Sequence, residues 1–248
     1  MKPVVVAIVC KTPAPGQSKT RLSPPLRPEE CAAISACFIR DVAAEVQSLA
    51  GVAGIAACAV YTPRGSEAAL RALLPDGFAL LAQGAGDLGA RMAGAVTDLL
   101  AAGHQGVILI GADSPTMPVA ILNAAIDAVR AGDNVVLSPA QDGGYTLIGL
   151  SQPHARLFAD IPWSTSEVYR LTAQRAREIG LPLVALPGWY DIDDAASFAM
   201  LEREMRGIAP SFAAPGLAGT DAPATFEFMR TRSLAFPSPL VGEGQVGG

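Results

Sequence analysis

The feature that most constrains this chain is the run Val4-Val5-Val6-Ala7-Ile8-Val9-Cys10, apolar at every position and rich in β-branched residues. A half-buried strand would alternate apolar with polar, so an unbroken run marks a strand covered on both faces, as in the centre of a parallel sheet. After Cys10 the composition changes to Lys11-Thr12-Pro13-Ala14-Pro15-Gly16-Gln17-Ser18-Lys19-Thr20-Arg21-Leu22. Pro13, Pro15 and Gly16 prevent both helix and ladder pairing, so the chain leaves the sheet as a loop. That loop carries three cations, Lys11, Lys19 and Arg21, and no acid. In open α/β sheets ligands bind beyond the carboxyl ends of the strands, and a cationic, Gly-containing loop there suits phosphates. It is not a Walker A loop, because Ser18 precedes Lys19 where that motif requires Gly. The alternative is that Lys19 and Arg21 are solvated surface charges.

The remaining pattern alternates helix and strand. Ile34, Phe38, Val42, Val46 and Leu49 recur at helical spacing after Pro28, and strands are predicted at 54–62, 78–82, 106–110, 134–139, 146–150 and 183–186. Asp142-Gly143-Gly144 between two strand-like runs is a hairpin signal, so an antiparallel excursion enters an otherwise parallel sheet. The predicted class is α/β, mostly parallel, with helices on both faces. Beyond about Gly207 periodicity stops and Ala, Gly, Pro, Ser and Thr dominate, so a domain at 1–208 and a disordered tail at 209–248 are expected.

At 248 residues and 50% hydrophobic the chain can build one substantial core, and its net charge of -5 argues against a nucleic-acid partner. Cys10, Cys31, Cys37 and Cys58 form no CxxC pair, and His104 and His154 are far apart, so neither a zinc site nor a Cys/His nucleophile is indicated. No run is long enough to span a bilayer, and a cytoplasmic protein with reduced thiols is expected.

Acids fall at strand ends and turns: Asp87, Asp113, Asp142 and the Asp191, Asp193, Asp194 group. Mg²⁺ or Mn²⁺ needs only one or two carboxylates beside a phosphate, and Asp113, directly after a buried strand, is the best single candidate ligand. Each acid also has a plainer role open to it. Asp87 and Asp193 could cap helices, Asp113 could cap a turn, and Asp142 could be only the hairpin residue.

Four motifs together, Lys11-x-Pro13-x-Pro15-Gly16-x-x-Lys19-Thr20-Arg21-Leu22, Gln83-Gly84-x-x-Asp87-Leu88-Gly89-x-Arg91-Met92, Gly111-x-Asp113-x-Pro115 and Asp142-Gly143-Gly144-Tyr145, resemble the bacterial glycosyltransferase A-type (GT-A) transferases long filed as a domain of unknown function. The likeness runs from Lys2 to about Arg206. More distantly the chain is similar to molybdenum-cofactor and phospholactate guanylyltransferases. The resemblance implies a nucleotide held by Lys11, Pro15, Gly16, Lys19 and Arg21 of the first loop and by Gln83, Gly84, Asp87, Gly89 and Arg91 of the second. It also implies a divalent cation on Asp113. Ser114 and Pro115 stand where a second carboxylate would follow, so the second ligand must come from Asp142 or Asp193. Three functions are carried forward: glycosyl transfer from a nucleotide sugar to a small acceptor, nucleotidyl transfer to a phosphorylated acceptor, and nucleotide binding without catalysis. In the transfer readings Lys19 and Arg21 neutralise the leaving phosphates and Asp142 or Asp193 activates the acceptor.

Overall fold

In the computed structural model, which describes residues 2–235, strand β1 (Val5–Lys11) lies inside a seven-stranded sheet. Its parallel neighbours are β2 (Ala56–Thr62) and β4 (Val107–Gly111), with Val5 opposite Ala56 on one side and Val107 on the other. The sheet is completed by β3 (Ala79–Ala82), β5 (Val135–Pro139), β6 (Tyr145–Leu150) and β7 (Leu183–Ala185), in the order β3-β2-β1-β4-β6-β5-β7. Only β6 runs against its neighbours, pairing antiparallel with both β4 and β5. This is the expected hairpin excursion, and the α/β class stands as read.

The unbroken apolar run of β1 follows from two packed faces. Val4, Val6, Ile8 and Cys10 point into a core shared with α1 (Pro28–Ala53), α4 (Val119–Ala131) and α6 (Ala195–Glu204). Val5 and Ala7 point into the opposite core, under α3 (Leu88–Ala101) and α5 (Val168–Glu178). A five-residue helix α2 (Glu67–Arg71) links β2 to β3. On α1, Ile34, Phe38, Val42, Val46 and Leu49 are all buried, as their spacing predicts. Pro28 opens the helix, Glu30 accepts the Arg27 backbone N–H at 2.8 Å, and Gly54 closes it in the left-handed region at φ 61°.

Residues beyond the expected boundary near Ala209, up to Ala235, pack against the body of the fold. Phe212 meets Trp189 and Tyr190 edge-on at 6.0 Å each, Thr220 donates its backbone N–H to the Thr116 carbonyl, and helix α7 (Pro223–Ala235) lies along α1. The docking device is Asp41 of α1, whose carboxylate accepts the backbone N–H groups of Ala224 at 2.9 Å and Thr225 at 2.8 Å, capping α7 from another element. The remaining expected tail, 236–248, lies outside the described residues. Trp189, fully buried, donates Nε1–H to Thr116 Oγ1 at 3.2 Å and belongs to the core. The four cysteines are free and buried. No helix among the described residues is long and apolar enough to cross a membrane.

Candidate functional site

The carboxyl ends of β1 and β4 lie side by side, Val9 opposite Gly111, so the loops leaving them share one edge of the sheet. Asp113 sits two residues beyond Gly111. Its backbone carbonyl accepts the Ile192 N–H at 2.9 Å, which draws the 190–193 segment alongside. Tyr190 and Ile192 are buried in the core, so the residues between and after them, Asp191 and Asp193, project toward Asp113. One oxygen from each of Asp113, Asp191 and Asp193 lies within 4.8 Å of the others.

The first loop meets this acidic group. Leu22, fully buried, anchors a short 3-10 turn at Thr20–Leu22, and Lys19 enters it in the left-handed region at φ 48°. From there Lys19 Nζ donates to Asp113 Oδ2 at 2.9 Å and to Asp193 Oδ1 at 2.6 Å, and Arg21 donates to Asp193 Oδ2 at 2.9 Å. The Lys19 side chain is only 13% exposed, whereas that of Arg21 is 72% exposed. The Arg21 pair therefore contributes under about 1 kcal/mol, and the Lys19 pairs dominate. Burial pulls the Lys19 ammonium down, but Asp113 and Asp193 outweigh it and leave it above its ordinary value. Burial likewise pushes Asp113 up, and Lys19 more than reverses this.

Both cations are spent on Asp113 and Asp193. Asp191, left without either, is pushed up to about 7 by burial and then by the charges of Asp113, Asp142 and Asp193. A group protonated more readily in the folded state than its ordinary 3.8 costs nothing below that pH. It destabilises progressively as pH rises to about 7, and no further above. In EDTA, Asp191→Asn should therefore match the wild-type thermal midpoint near pH 4 and exceed it by a few degrees at pH 8. Equal midpoints at both pH values in a melting series would refute the crowding of Asp191.

Three hard carboxylates facing each other, with too few cations to neutralise them, suit Mg²⁺ or Mn²⁺. The pair expected from sequence, Asp113 and Asp193, is brought together. Asp191 is the member that sequence reasoning did not single out, although the alternation Tyr190-Asp191-Ile192-Asp193 carries the signal for it. The cap of α6 is Asp194, which accepts the Ser197 N–H at 2.9 Å, so Asp193 is released from the capping role. Asp142 accepts the Gly144 N–H at 2.8 Å in the β5–β6 turn and faces the same cleft as the three acids.

Two clefts meet here and share Val9, Arg21, Asp113 and Asp193. The smaller, about 260 Å³, is lined by Lys11, Gln17, Ser18 and Lys19 of the first loop and by Ser35 of α1. The larger, about 310 Å³, is lined by Leu88, Met92, Tyr145 and Trp163 together with Asp142 and Asp191. Pro15 and Gly16 form the exposed outer turn of the first loop, Gly16 at φ 69°.

The Gln83–Arg91 turn is built into the scaffold. Gln83 donates to the carbonyls of Cys10 and Val60, at 3.3 and 3.0 Å, and accepts from Arg91 at 3.0 Å. Asp87 caps α3 through the Ala90 N–H at 2.8 Å. A Cβ on Gly89 would lie 2.5 Å from Trp163 Nε1, so this glycine makes room for the indole. Gln83, Gly84, Asp87 and Arg91 line neither of the two clefts.

Residues 45–165 match DUF2064, described as an uncharacterized protein conserved in bacteria. No curated protein matches the sequence. Among solved structures, a candidate nucleotide-diphospho-sugar transferase from Desulfovibrio desulfuricans G20 is similar with a TM-score of 0.76 at 25% identity, over 94% of this chain and 96% of that one. A CMP:2-keto-3-deoxy-manno-octonic acid synthetase complexed with CTP is similar at 0.53 and 12% identity, over 84% of this chain and 99% of that one. A 4-diphosphocytidyl-2C-methyl-D-erythritol synthase from Anaerococcus prevotii DSM 20548 is similar at 0.52 and 9% identity, over 83% and 99%. The latter two share the fold alone. The matched segment contains three of the four motifs that carry the resemblance, Gln83–Met92, Gly111–Pro115 and Asp142–Tyr145, and over residues 45–165 the chain matches the DUF2064 family.

Proposed function

We propose that the protein is a divalent-cation-dependent glycosyltransferase that takes a nucleotide-sugar donor. The observation that carries this reading is the meeting of Lys19 and Arg21 with Asp113, Asp191 and Asp193 at the junction of two clefts. In this reading the first loop, through Lys11, Lys19 and the Pro15-Gly16 turn, receives the nucleotide. Gln83, Gly84, Asp87, Gly89 and Arg91 support it by fixing the ends of β1 and β2 and the start of α3. Asp113, Asp191 and Asp193 would hold Mg²⁺ or Mn²⁺, which would supply positive charge to the diphosphate. Lys19 and Arg21 turn their N–H groups from the carboxylates to the diphosphate oxygens and stabilise the leaving group as its charge grows. Asp142, across the larger cleft, accepts the proton of the attacking hydroxyl. The likeness to a candidate nucleotide-diphospho-sugar transferase supports the donor class. Four free, buried thiols fit a cytoplasmic setting.

Nucleotidyl transfer is the second reading, favoured by three cations on one short loop, more than a diphosphate requires. The two differ in product. Incubated with Mn²⁺ and a panel of nucleotide sugars and nucleoside triphosphates, the protein is expected to release a nucleoside diphosphate, slowly even without acceptor. Pyrophosphate as the product would favour the second reading, and saturable binding with no turnover of any donor would make the protein a nucleotide-binding module.

A further inference from the structure

The larger cleft has an aromatic wall beside its acids. Trp163 and Tyr145 meet edge to face, ring centroids 6.4 Å apart and planes at 84°. The indole packs directly on the backbone of Gly89, where a Cβ would lie 2.5 Å from its Nε1. Its loop is clamped from the side. Tyr169 donates its backbone N–H to the Gly143 carbonyl at 2.9 Å, and a Cβ on Gly143 would fall 2.2 Å from the Ser166 carbonyl oxygen, so the hairpin turn and the loop before α5 touch backbone to backbone. Trp163 is thus a preformed aromatic platform, half-buried and fixed by two other elements.

The charges around it are one-sided. Asp113, Asp142, Asp191 and Asp193 line the cleft, and among the described residues Arg21 is the one cation on its walls, already bonded to Asp193. In the cation-free protein a phosphorylated or carboxylated molecule entering here would meet acids and find no uncommitted cation to hold it, and a donor diphosphate seated on a bound cation would restore the same repulsion. An uncharged molecule with hydroxyl groups meets carboxylates able to accept hydrogen bonds and, in Trp163, a surface for a flat apolar face.

We infer that the larger cleft binds an uncharged, hydroxyl-bearing second substrate that lays a sugar-ring or aryl face on Trp163, and excludes phosphorylated ones. Calling that molecule an acceptor rests on the proposed transferase reading; its charge class and its contact with Trp163 do not. The inference also favours glycosyl transfer over nucleotidyl transfer to a phosphorylated acceptor.

The chain has two tryptophans, and Trp189 is fully buried, so quenching of intrinsic fluorescence by a cleft ligand reports on Trp163. Titration of the full-length protein in EDTA with phenyl β-D-glucopyranoside is expected to quench saturably, with phenyl phosphate binding at least about tenfold more weakly. By saturation-transfer NMR, Trp163→Ala should weaken glucoside binding about tenfold with an unchanged circular dichroism spectrum. If that variant does not fold, the wild-type ratio of the two affinities decides. Phenyl phosphate binding as tightly as the glucoside, no saturable binding of either probe, or unaltered glucoside affinity in a folded Trp163→Ala would each overturn the inference. Failure of every nucleotide to raise the thermal midpoint would instead sink the donor reading and leave the glucoside result standing.

Discussion

Ending the chain at Ala209 lowers the thermal midpoint by about ten degrees or more, or abolishes soluble expression. The cut removes Met229, Ala222 and Thr225, buried against the body, and Phe212, which packs on Trp189 and Tyr190. Losing a buried Met side chain alone costs about 2 to 5 kcal/mol, and in a domain this size each kcal/mol moves the midpoint by about 2 to 4 degrees. The polar part of the interface adds less, because the cut returns Asp41 to water along with the face of α1. A second variant isolates it. Asp41→Ala in the full chain removes the acceptor of the Ala224 and Thr225 N–H groups while α7 stays attached, and should cost about 1 to 2 kcal/mol, the usual value of an N-cap. Differential scanning calorimetry of the two proteins beside the full chain reads both effects. A shortened chain melting within about two degrees of the full one would mean that α7 contributes nothing to the fold.

That helix shows where sequence reasoning stops. Strand β1 is legible because both of its faces are apolar, α1 because its apolar residues keep helical spacing, and the β5–β6 hairpin because Asp142-Gly143-Gly144 demands a turn. Helix α7 presents no such stripe. Its inward residues include Thr225 and Met229, and it is seated by a carboxylate on α1 nearly two hundred positions earlier, a contact that no local pattern announces. The site divides the same way. Lys19, Arg21, Asp113, Asp142 and Asp193 are visible as charges at strand ends and turns. That Lys19 bridges Asp113 and Asp193 is a tertiary fact, fixed by the Asp113–Ile192 backbone hydrogen bond. Gln83 and Arg91 were expected at the ligand; their hydrogen bonds to each other and to the ends of β1 and β2 could not be seen in a linear motif.

Replacing Asp113 by Asn carries the largest expected effect on chemistry. Asn keeps the size and shape of Asp, and Lys19 retains Asp193 at 2.6 Å, so the variant should fold with its midpoint within a few degrees of wild type. What it loses is one of the three charges proposed to face a cation, the one fixed by the backbone at the end of β4. Donor turnover should fall by about a hundredfold to a thousandfold, more than binding does, because the lost stabilisation is greatest as charge accumulates on the leaving phosphate. If Asp113 served only to cap its turn, Asn would replace it almost silently. The decisive measurement is calorimetric titration of nucleoside diphosphate into wild type and Asp113→Asn, each with Mn²⁺ and with EDTA. The expected result is a large Mn²⁺-dependent gain in wild-type affinity that is lost or reduced at least about tenfold in the variant. The same Mn²⁺-dependent gain in both proteins would contradict a cation site built on Asp113.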